Sequence, residues 1–318
     1  MLDHILVPLD GSQLAECVLP HAVALARTFG ARVTLLQAVE RTRGGGLTRA
    51  IDPLRWQIRK SEAGAYLDEI GARLQEAGLQ ADKVLLEGSA AERIVEYAQT
   101  NDVGLIILNS HGWSGPSKWN INSVVQKVII QAYMPVLIVR AHRLAISDLT
   151  GLRYKRLLLP LDGSQRAEVI LPLAITLARS HGCLPLLAHV VSKPELPRRT
   201  PRSAEENELV NRLTELNRAH GAGYLEQLRS RLAMDVETRL LSSENIAATL
   251  HELVAQEEID MVMLSAHGYS GEAQWPYGSV ALNFIAYCTA PLLIMQDLSR
   301  NEVERTQAEI EARGSKGH

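Results

Sequence analysis

The sequence predicts an α/β protein built from two doubly wound, parallel-sheet domains of Rossmann-like type. Three observations carry that reading. Short apolar runs lack the polar alternation of a half-exposed strand, so they are buried on both faces. Segments with helical periodicity separate them, as in β-α-β units. The whole pattern then occurs a second time. Hydrophobic residues make up 46% of the 318 residues and charged residues 22%, which excludes a disordered, collagenous or coiled-coil chain.

The repeat is direct. Residues 5–12 read Ile-Leu-Val-Pro-Leu-Asp-Gly-Ser, and residues 157–164 read Leu-Leu-Leu-Pro-Leu-Asp-Gly-Ser. That offset of 152 also matches Glu16 with Glu168 and Pro20 with Pro172. Further on, Ser110-His111-Gly112-Trp113-Ser114-Gly115 matches Ala266-His267-Gly268-Tyr269-Ser270-Gly271 at an offset of 156. Four residues were therefore gained inside the second copy. A period near 150 residues is a duplicated domain, not a solenoid repeat. The expected limits are 1–140 and 155–297, joined by a linker at 141–154 and followed by a polar tail at 298–318.

Each element follows from its residues. Ile5–Pro8 is a strand closed by an Asp-Gly-Ser turn. Apolar positions from Leu14 to Phe29 recur at helical spacing until Gly30 stops them. Val33–Val39 is a second strand. Trp56–Gly78 is a long helix after an Arg/Gly segment. Val84–Glu87, Ala90–Thr100, Leu105–Leu108, Ser123–Tyr133 and Val136–Val139 continue the alternation of strand and helix. The second copy places strands near 157–160, 185–191, 237–241, 261–264 and 292–295.

Composition narrows the function. Lys plus Arg total 33 against 36 Asp plus Glu, a net charge of -3, so no general nucleic-acid coat is expected. No apolar run approaches the ~18 residues of a membrane span, and the first residues do not read as a signal peptide. Cys17, Cys183 and Cys288 have neither metal-ligand nor disulfide spacing. A reduced, cytoplasmic setting is expected.

In an open parallel sheet, ligands bind beyond the carboxyl ends of the strands. Two segments of each copy lie there: the Asp-Gly-Ser turn and the His-Gly-x-Ser-Gly loop. The loop runs into a helix at Asn122-Ser123 or Gly278-Ser279, where unpaired N–H groups and the helix dipole suit a phosphate. The same residues also serve as turn and cap chemistry, and each keeps both readings.

Together the Pro-Leu-Asp-Gly-Ser opening, the Ser/Ala-His-Gly-x-Ser-Gly loop, the following Ser-Val and the Pro-Val-Leu-Ile-Val ending resemble the universal stress protein family, over 4–140 and 155–296. The resemblance implies a tandem member with strand order 3-2-1-4-5, adenine-nucleotide binding (ATP or a related nucleotide) and a role in stress survival. It implies that Asp10 and Asp162 meet the adenine end, with Pro8, Leu9, Pro160 and Leu161 beside them. Ala38 and Val190 fall on the ribose side, and Gly88 at the third strand's end. Gly112, Ser123, Gly268, Gly278 and Ser279 fall at the phosphates, with Gly115, Gly271 and Val280 next to them. The family's Gly-x2-Gly-x9-Gly-Ser/Thr pattern becomes Asn109-x2-Gly112-x9-Asn122-Ser123 in the first copy and Ser265-x2-Gly268-x9-Gly278-Ser279 in the second. The first copy thus lacks two of three glycines and the second lacks one. Against this, the second copy carries Glu244 and Glu272, whose charge opposes a triphosphate, while the first offers Lys118, Arg41, Arg43, Arg49 and Arg55.

Other chemistries fail on sequence. There is no P-loop and no Gly-x-Gly-x-x-Gly fingerprint. Gly112-x-Ser114-x-Pro116 misses the final glycine of a nucleophile elbow. His111 and His267 read as loop-ordering groups, no cluster suits a metal, and no residue is assigned a catalytic role. Trp113, Trp119 and Trp275 read as loop packing, and Arg41–Arg59 as a solvated loop. The resulting expectation is a nucleotide-responsive binding module that acts on a protein partner. The alternative is an adaptor with degenerate pockets, with a slow ATPase behind both. The fifth strands, Val136–Val139 and Leu292–Met295, are apolar edges expected to pair the copies as an internal pseudo-dimer, with a homodimer of whole chains left open.

Overall fold

A computed structural model describes residues 2–40, 53–110, 121–140, 148–192, 203–269 and 276–298. The chain divides into two compact units, Met1–Arg153 and Tyr154–His318.

The first unit runs β1 (His4–Leu9), a 3-10 turn (Ala15–Val18), α1 (Leu19–Phe29), β2 (Arg32–Val39), α2 (Pro53–Glu76), β3 (Ala81–Glu87), α3 (Ala90–Thr100), β4 (Leu105–Asn109), α4 (Ser123–Gln131) and β5 (Val136–Val139). Every strand pair is parallel, and the order is β3-β2-β1-β4-β5. The second unit runs β6 (Arg156–Pro160), α5 (Gln165–Glu168), α6 (Leu171–His181), β7 (Leu184–Ser192), α7 (Ala204–Arg231), β8 (Glu237–Ser243), α8 (Ile246–Gln256), β9 (Met261–Ser265), α9 (Ser279–Tyr287) and β10 (Leu292–Met295). Its order is β8-β7-β6-β9-β10, again all parallel. Each unit therefore has the 3-2-1-4-5 order in its own numbering.

The inner strands are the continuous apolar runs. Ile5, Leu6 and Val7 are wholly buried, as are Leu157 and Leu158. Each such side chain contributes roughly 1.5–3 kcal/mol relative to exposure. The β3 and β8 strands are edges. β3 carries Asp82-Lys83 just after its first residue, Ala81, β8 begins with Glu237-Thr238-Arg239, and every residue of both is half-buried or exposed. That mixed character hides the start of β3 from a hydrophobic reading, so the strand begins three residues before the expected Val84.

The first helix also differs from expectation. Periodicity runs unbroken from Leu14 to Phe29, but the chain makes a 3-10 turn and then starts α1 at Leu19. Pro20 lacks an N–H and fits only the first turn of a helix. Pro172 imposes the same break between α5 and α6. Gly30 (φ 65) and Gly182 (φ 64) end the two helices in the left-handed conformation that glycine adopts without strain.

The amino ends of the sheets differ between copies. In the first, the buried His4 donates Nδ1–H to the Asn101 carbonyl (2.9 Å) and accepts from Thr34 Oγ1 at Nε2 (2.8 Å). Burial holds its pKa below the ordinary value, in keeping with a neutral ring. In the second, Arg156 stands at this place and pairs with Glu237 (3.0 Å) and Glu257. These ends lie away from the strand exits that position the candidate site.

Candidate functional site

The site begins with one turn made twice. Asp162 follows β6, and its Oδ1 accepts from Ser164 N (3.0 Å) and Ser164 Oγ (2.7 Å). Ser164 Oγ accepts from Ala167 N (3.1 Å) and caps α5. Asp10 repeats this with Ser12 N (2.9 Å) and Oγ (2.6 Å), and Ser12 Oγ accepts from Ala15 N (3.2 Å). Gly11 (φ 81) and Gly163 (φ 87) hold the left-handed position between them. Both aspartates thus perform turn chemistry.

In the second unit Asp162 does more. Its Oδ2 accepts the backbone N–H of Tyr269 in the loop after β9. Gly268 makes that approach possible, because a Cβ there would sit 2.1 Å from Asp162 Oδ2. The same loop is pinned from the other side. Asp297, just past β10, accepts from His267 N (3.1 Å) and from His267 Nδ1 (2.7 Å). The Asp297 side chain is wholly buried, and Arg166 Nε lies 3.8 Å from its Oδ2. Position 141, which matches 297 at the offset of 156, is alanine, so only the second copy has a carboxylate at this place in the sequence. His267 has the loop-ordering role expected of it.

The loop opens and closes on one strand end. Ala266 N donates to Met295 O (2.8 Å), and Gly278 N donates back to Ala266 O (2.8 Å). A Cβ at Gly278 would lie 3.4 Å from that carbonyl. No side chain caps α9, which begins at Ser279. Among the described residues its first N–H groups have no side-chain acceptor, and its first residues border the gap between the ends of β6 and β9.

A cavity of about 790 Å³ occupies that gap. Pro160 at the end of β6, with Leu161 and Asp162 just beyond it, lines its floor. Val190 lines it from β7, and Ser265, Gly268, Gly278, Ser279 and Val280 from the β9–α9 side. All the described second-copy candidates therefore line one cavity, and Gly271 and Glu272 lie outside the described residues. Glu244 is exposed and is not part of the lining. Ser265 Oγ is buried with no hydrogen-bond partner.

The wall opposite β9 was not foreseen. His189 on β7 donates Nδ1–H to the Leu161 carbonyl (2.8 Å), and its ring meets Tyr224 of α7 edge-on (5.9 Å). Gly221 allows α7 this close, since a Cβ there would sit 2.8 Å from the His189 ring. Burial first, then Glu168 and Asp162, raise the Tyr224 pKa, so its hydroxyl stays protonated. Glu168, at the end of α5, pairs with Arg231 of α7. The first unit repeats the group: Tyr66 is raised by burial, Glu16 and Asp10, and Glu16 pairs with Arg73 (2.6 Å). The signal was present as Tyr66-Leu67 against Tyr224-Leu225. It falls at an offset of 158, outside both offsets that define the repeat.

The first unit places Pro8, Leu9 and Asp10 at the exit of β1, Ala38 near the end of β2 and Gly88 (φ 129) just past β3. Gly88 N donates to Val39 O (3.1 Å). Asn109 ends β4, is buried, and accepts from Cys17 Sγ (3.6 Å). Burial pushes the Cys17 thiol up to about 12, which makes it a poor nucleophile. Asn122 precedes Ser123 and caps α4 itself, its Oδ1 accepting from Val124 N (2.6 Å). Its N–H donates to Ser110 O (3.0 Å), as Gly278 does to Ala266. Gly112, Gly115, His111, Lys118, Trp113, Trp119, Trp275, Arg41, Arg43 and Arg49 lie outside the described residues. Among those described, no cluster of ligating side chains suits a metal, and no helix is long and apolar enough to cross a membrane.

Comparison with known proteins agrees with this architecture. The chain is 32% identical to the universal stress protein YxiE of Bacillus subtilis over 151 residues, 44% of this chain and all of that one. It is 30% identical to the universal stress protein MJ0531 of Methanocaldococcus jannaschii over 137 residues, 43% of this chain and 81% of that one. A putative universal stress protein from Pseudomonas aeruginosa has the same fold over 96% of this chain and 97% of its own (TM-score 0.70, 14% identity). The model of the universal stress protein family matches twice, at residues 1–140 and 153–296. With both halves matched and the same five-stranded order in each, the chain belongs to the universal stress protein family, as a tandem member.

Proposed function

We propose that this tandem stress protein is an adenine-nucleotide-responsive binding module whose working pocket is in the second copy. One observation carries the reading: the described second-copy candidates all line a single cavity of about 790 Å³. That volume is in the range of small-molecule sites, roughly 300–1,000 Å³. Three features support a phosphorylated ligand. The α9 N-terminus has no side-chain cap. Ser265 offers a buried hydroxyl without a partner. Gly268 and Gly278 keep the approach narrow and side-chain-free. The apolar floor at Pro160, Leu161 and Val190 suits the base and ribose end.

Bound nucleotide would act on the loop that Asp162 and Asp297 hold at its start, and so on a surface presented to a protein partner. No residue is assigned to catalysis. The first copy supports the adaptor reading instead, because Asn122 occupies its own helix N-terminus. Isothermal titration with ATP, ADP and AMP tests both readings, with one site per chain expected. The absence of binding at millimolar nucleotide would sink the proposal. Two equivalent sites would remove the distinction between the copies.

A further inference from the structure

The long helix α7 carries an apolar stripe that the second unit does not cover. Its first buried residue is Gly221, so the stretch from Ala204 to His220 packs no side chain fully against the domain. A helix in water draws most of its stability from packing an apolar face, and 17 residues span about 25 Å at 1.5 Å per residue. The matching helix α2 behaves otherwise, burying Trp56 within its first turn against Val39. On α7, Leu209, Leu213 and Leu216 are 68%, 44% and 53% exposed. Their spacing of four and three residues sets them on one side of the helix, ending toward His220.

We infer that this stripe is the contact between two copies of the chain, formed by antiparallel packing of α7 on α7. The charges favour that occupant and that direction. The first turns carry Glu205, Glu206 and Glu208, whereas the stretch from 211 to 220 carries Arg212, Arg218 and His220 against Glu215 alone. An antiparallel pair sets the acidic end of each helix against the basic stretch of the other, and the helix dipoles oppose favourably as well. With the two-fold axis beside Leu213, Leu209 of one copy meets Leu216 of the other, and Glu205 faces His220. A parallel pair would stack the acidic turns on each other. The capping box between Ser203 and Glu206 fixes the helix start, so the stripe is presented in helical form.

Sedimentation velocity of the full chain, from about 1 to about 100 µM, tests this. The wild type is expected to dimerise. Leu213→Glu should weaken the dimer at least about tenfold with an unchanged far-ultraviolet circular dichroism spectrum, as expected for a hot-spot position. Leu216→Gln should act in the same direction if the first variant folds poorly, and Leu282→Glu, at an exposed position on α9, should leave the dimer intact. Glu205→Lys should weaken association, and adding His220→Glu should restore it. A wild type that stays monomeric overturns the inference, because the stripe then serves the chain's own 299–318 segment or an unrelated protein. A dimer indifferent to both leucine variants, or a charge reversal that is not rescued, overturns it as well.

Discussion

The two copies build the same helix entrance and finish it differently. In the first, Asn122 turns its side-chain oxygen onto Val124 N and satisfies the start of α4 from within. In the second, Gly278 has no side chain to offer, and α9 opens onto a cavity with its first N–H groups unclaimed by a cap. An asparagine at this position thus stands where an anion would stand. Loss of a glycine from a phosphate-binding pattern does more than narrow the space. It supplies an internal acceptor that competes with the ligand. The turn, the Tyr-Glu-Arg group and the sheet order are kept in both copies, so at this entrance the two differ in side-chain chemistry and not in architecture.

The largest way to break the second site is Gly268→Val. A Cβ would fall 2.1 Å from Asp162 Oδ2, so the Asp162–Tyr269 bond must open. A hydrogen bond to a charged acceptor contributes about 1.5–3 kcal/mol. The variant should lower the second unit's stability by about that amount and weaken nucleotide binding at least about tenfold. Thermal unfolding and titration calorimetry read the two effects. Unchanged affinity would show that the loop does not form the site.

A second contrast concerns acid. His21 in α1 is buried, and burial lowers its pKa to about 4, whereas the matching position in α6 is Leu173. In the unfolded chain the imidazole titrates near its ordinary value of 6.5. Between these two values the unfolded state binds the extra proton, so stability is intact above pH 6.5 and falls as the pH drops toward 4. The loss is about 1.4 kcal/mol per pH unit at most. His21→Leu, which installs the second copy's residue, should flatten this acid limb for the first unit. Denaturant unfolding at pH 7 and pH 5 measures it, and an unchanged difference between the two pH values would remove His21 as the cause.

Much of this was legible in the residues. Continuous apolar runs gave every inner strand to within a residue or so, because a strand buried on both faces admits few polar side chains. The Asp-Gly-Ser turns were legible because a left-handed position selects glycine. The start of β3 was hidden, because an edge strand tolerates Asp82 and Lys83. The break before α1 was hidden in a periodicity that Pro20 alone interrupts. At the site, the strand-exit residues stood out, while His189, Tyr224, Arg231 and Asp297 did not. Their roles come from three-dimensional proximity across β7, α7 and β10, which no local spacing encodes. Asp297 in particular lies 30 residues beyond His267 and has only an alanine as its counterpart.

The finest test exchanges the two helix entrances. Gly278→Asn would give α9 the cap that α4 has, and Asn122→Gly would remove it from α4. A capping side chain contributes roughly 0.5–2 kcal/mol relative to alanine, and replacement by glycine costs only a few tenths. Gly278→Asn should therefore leave the unfolding temperature nearly unchanged or slightly raised. It should weaken nucleotide binding several-fold, because the ligand must displace an internal acceptor from the same N–H groups. Its Cβ would have 3.4 Å to the Ala266 carbonyl, a tight contact that a small shift relieves. Asn122→Gly should lower the first unit's stability by a few tenths of a kcal/mol. If the cap alone closes that copy, a second binding event should appear in the titration. If Gly278→Asn weakens binding and Asn122→Gly gains none, the first site is closed by more than its cap. Asn109, buried at the end of β4 where the second copy has the smaller Ser265, is then the next position to change.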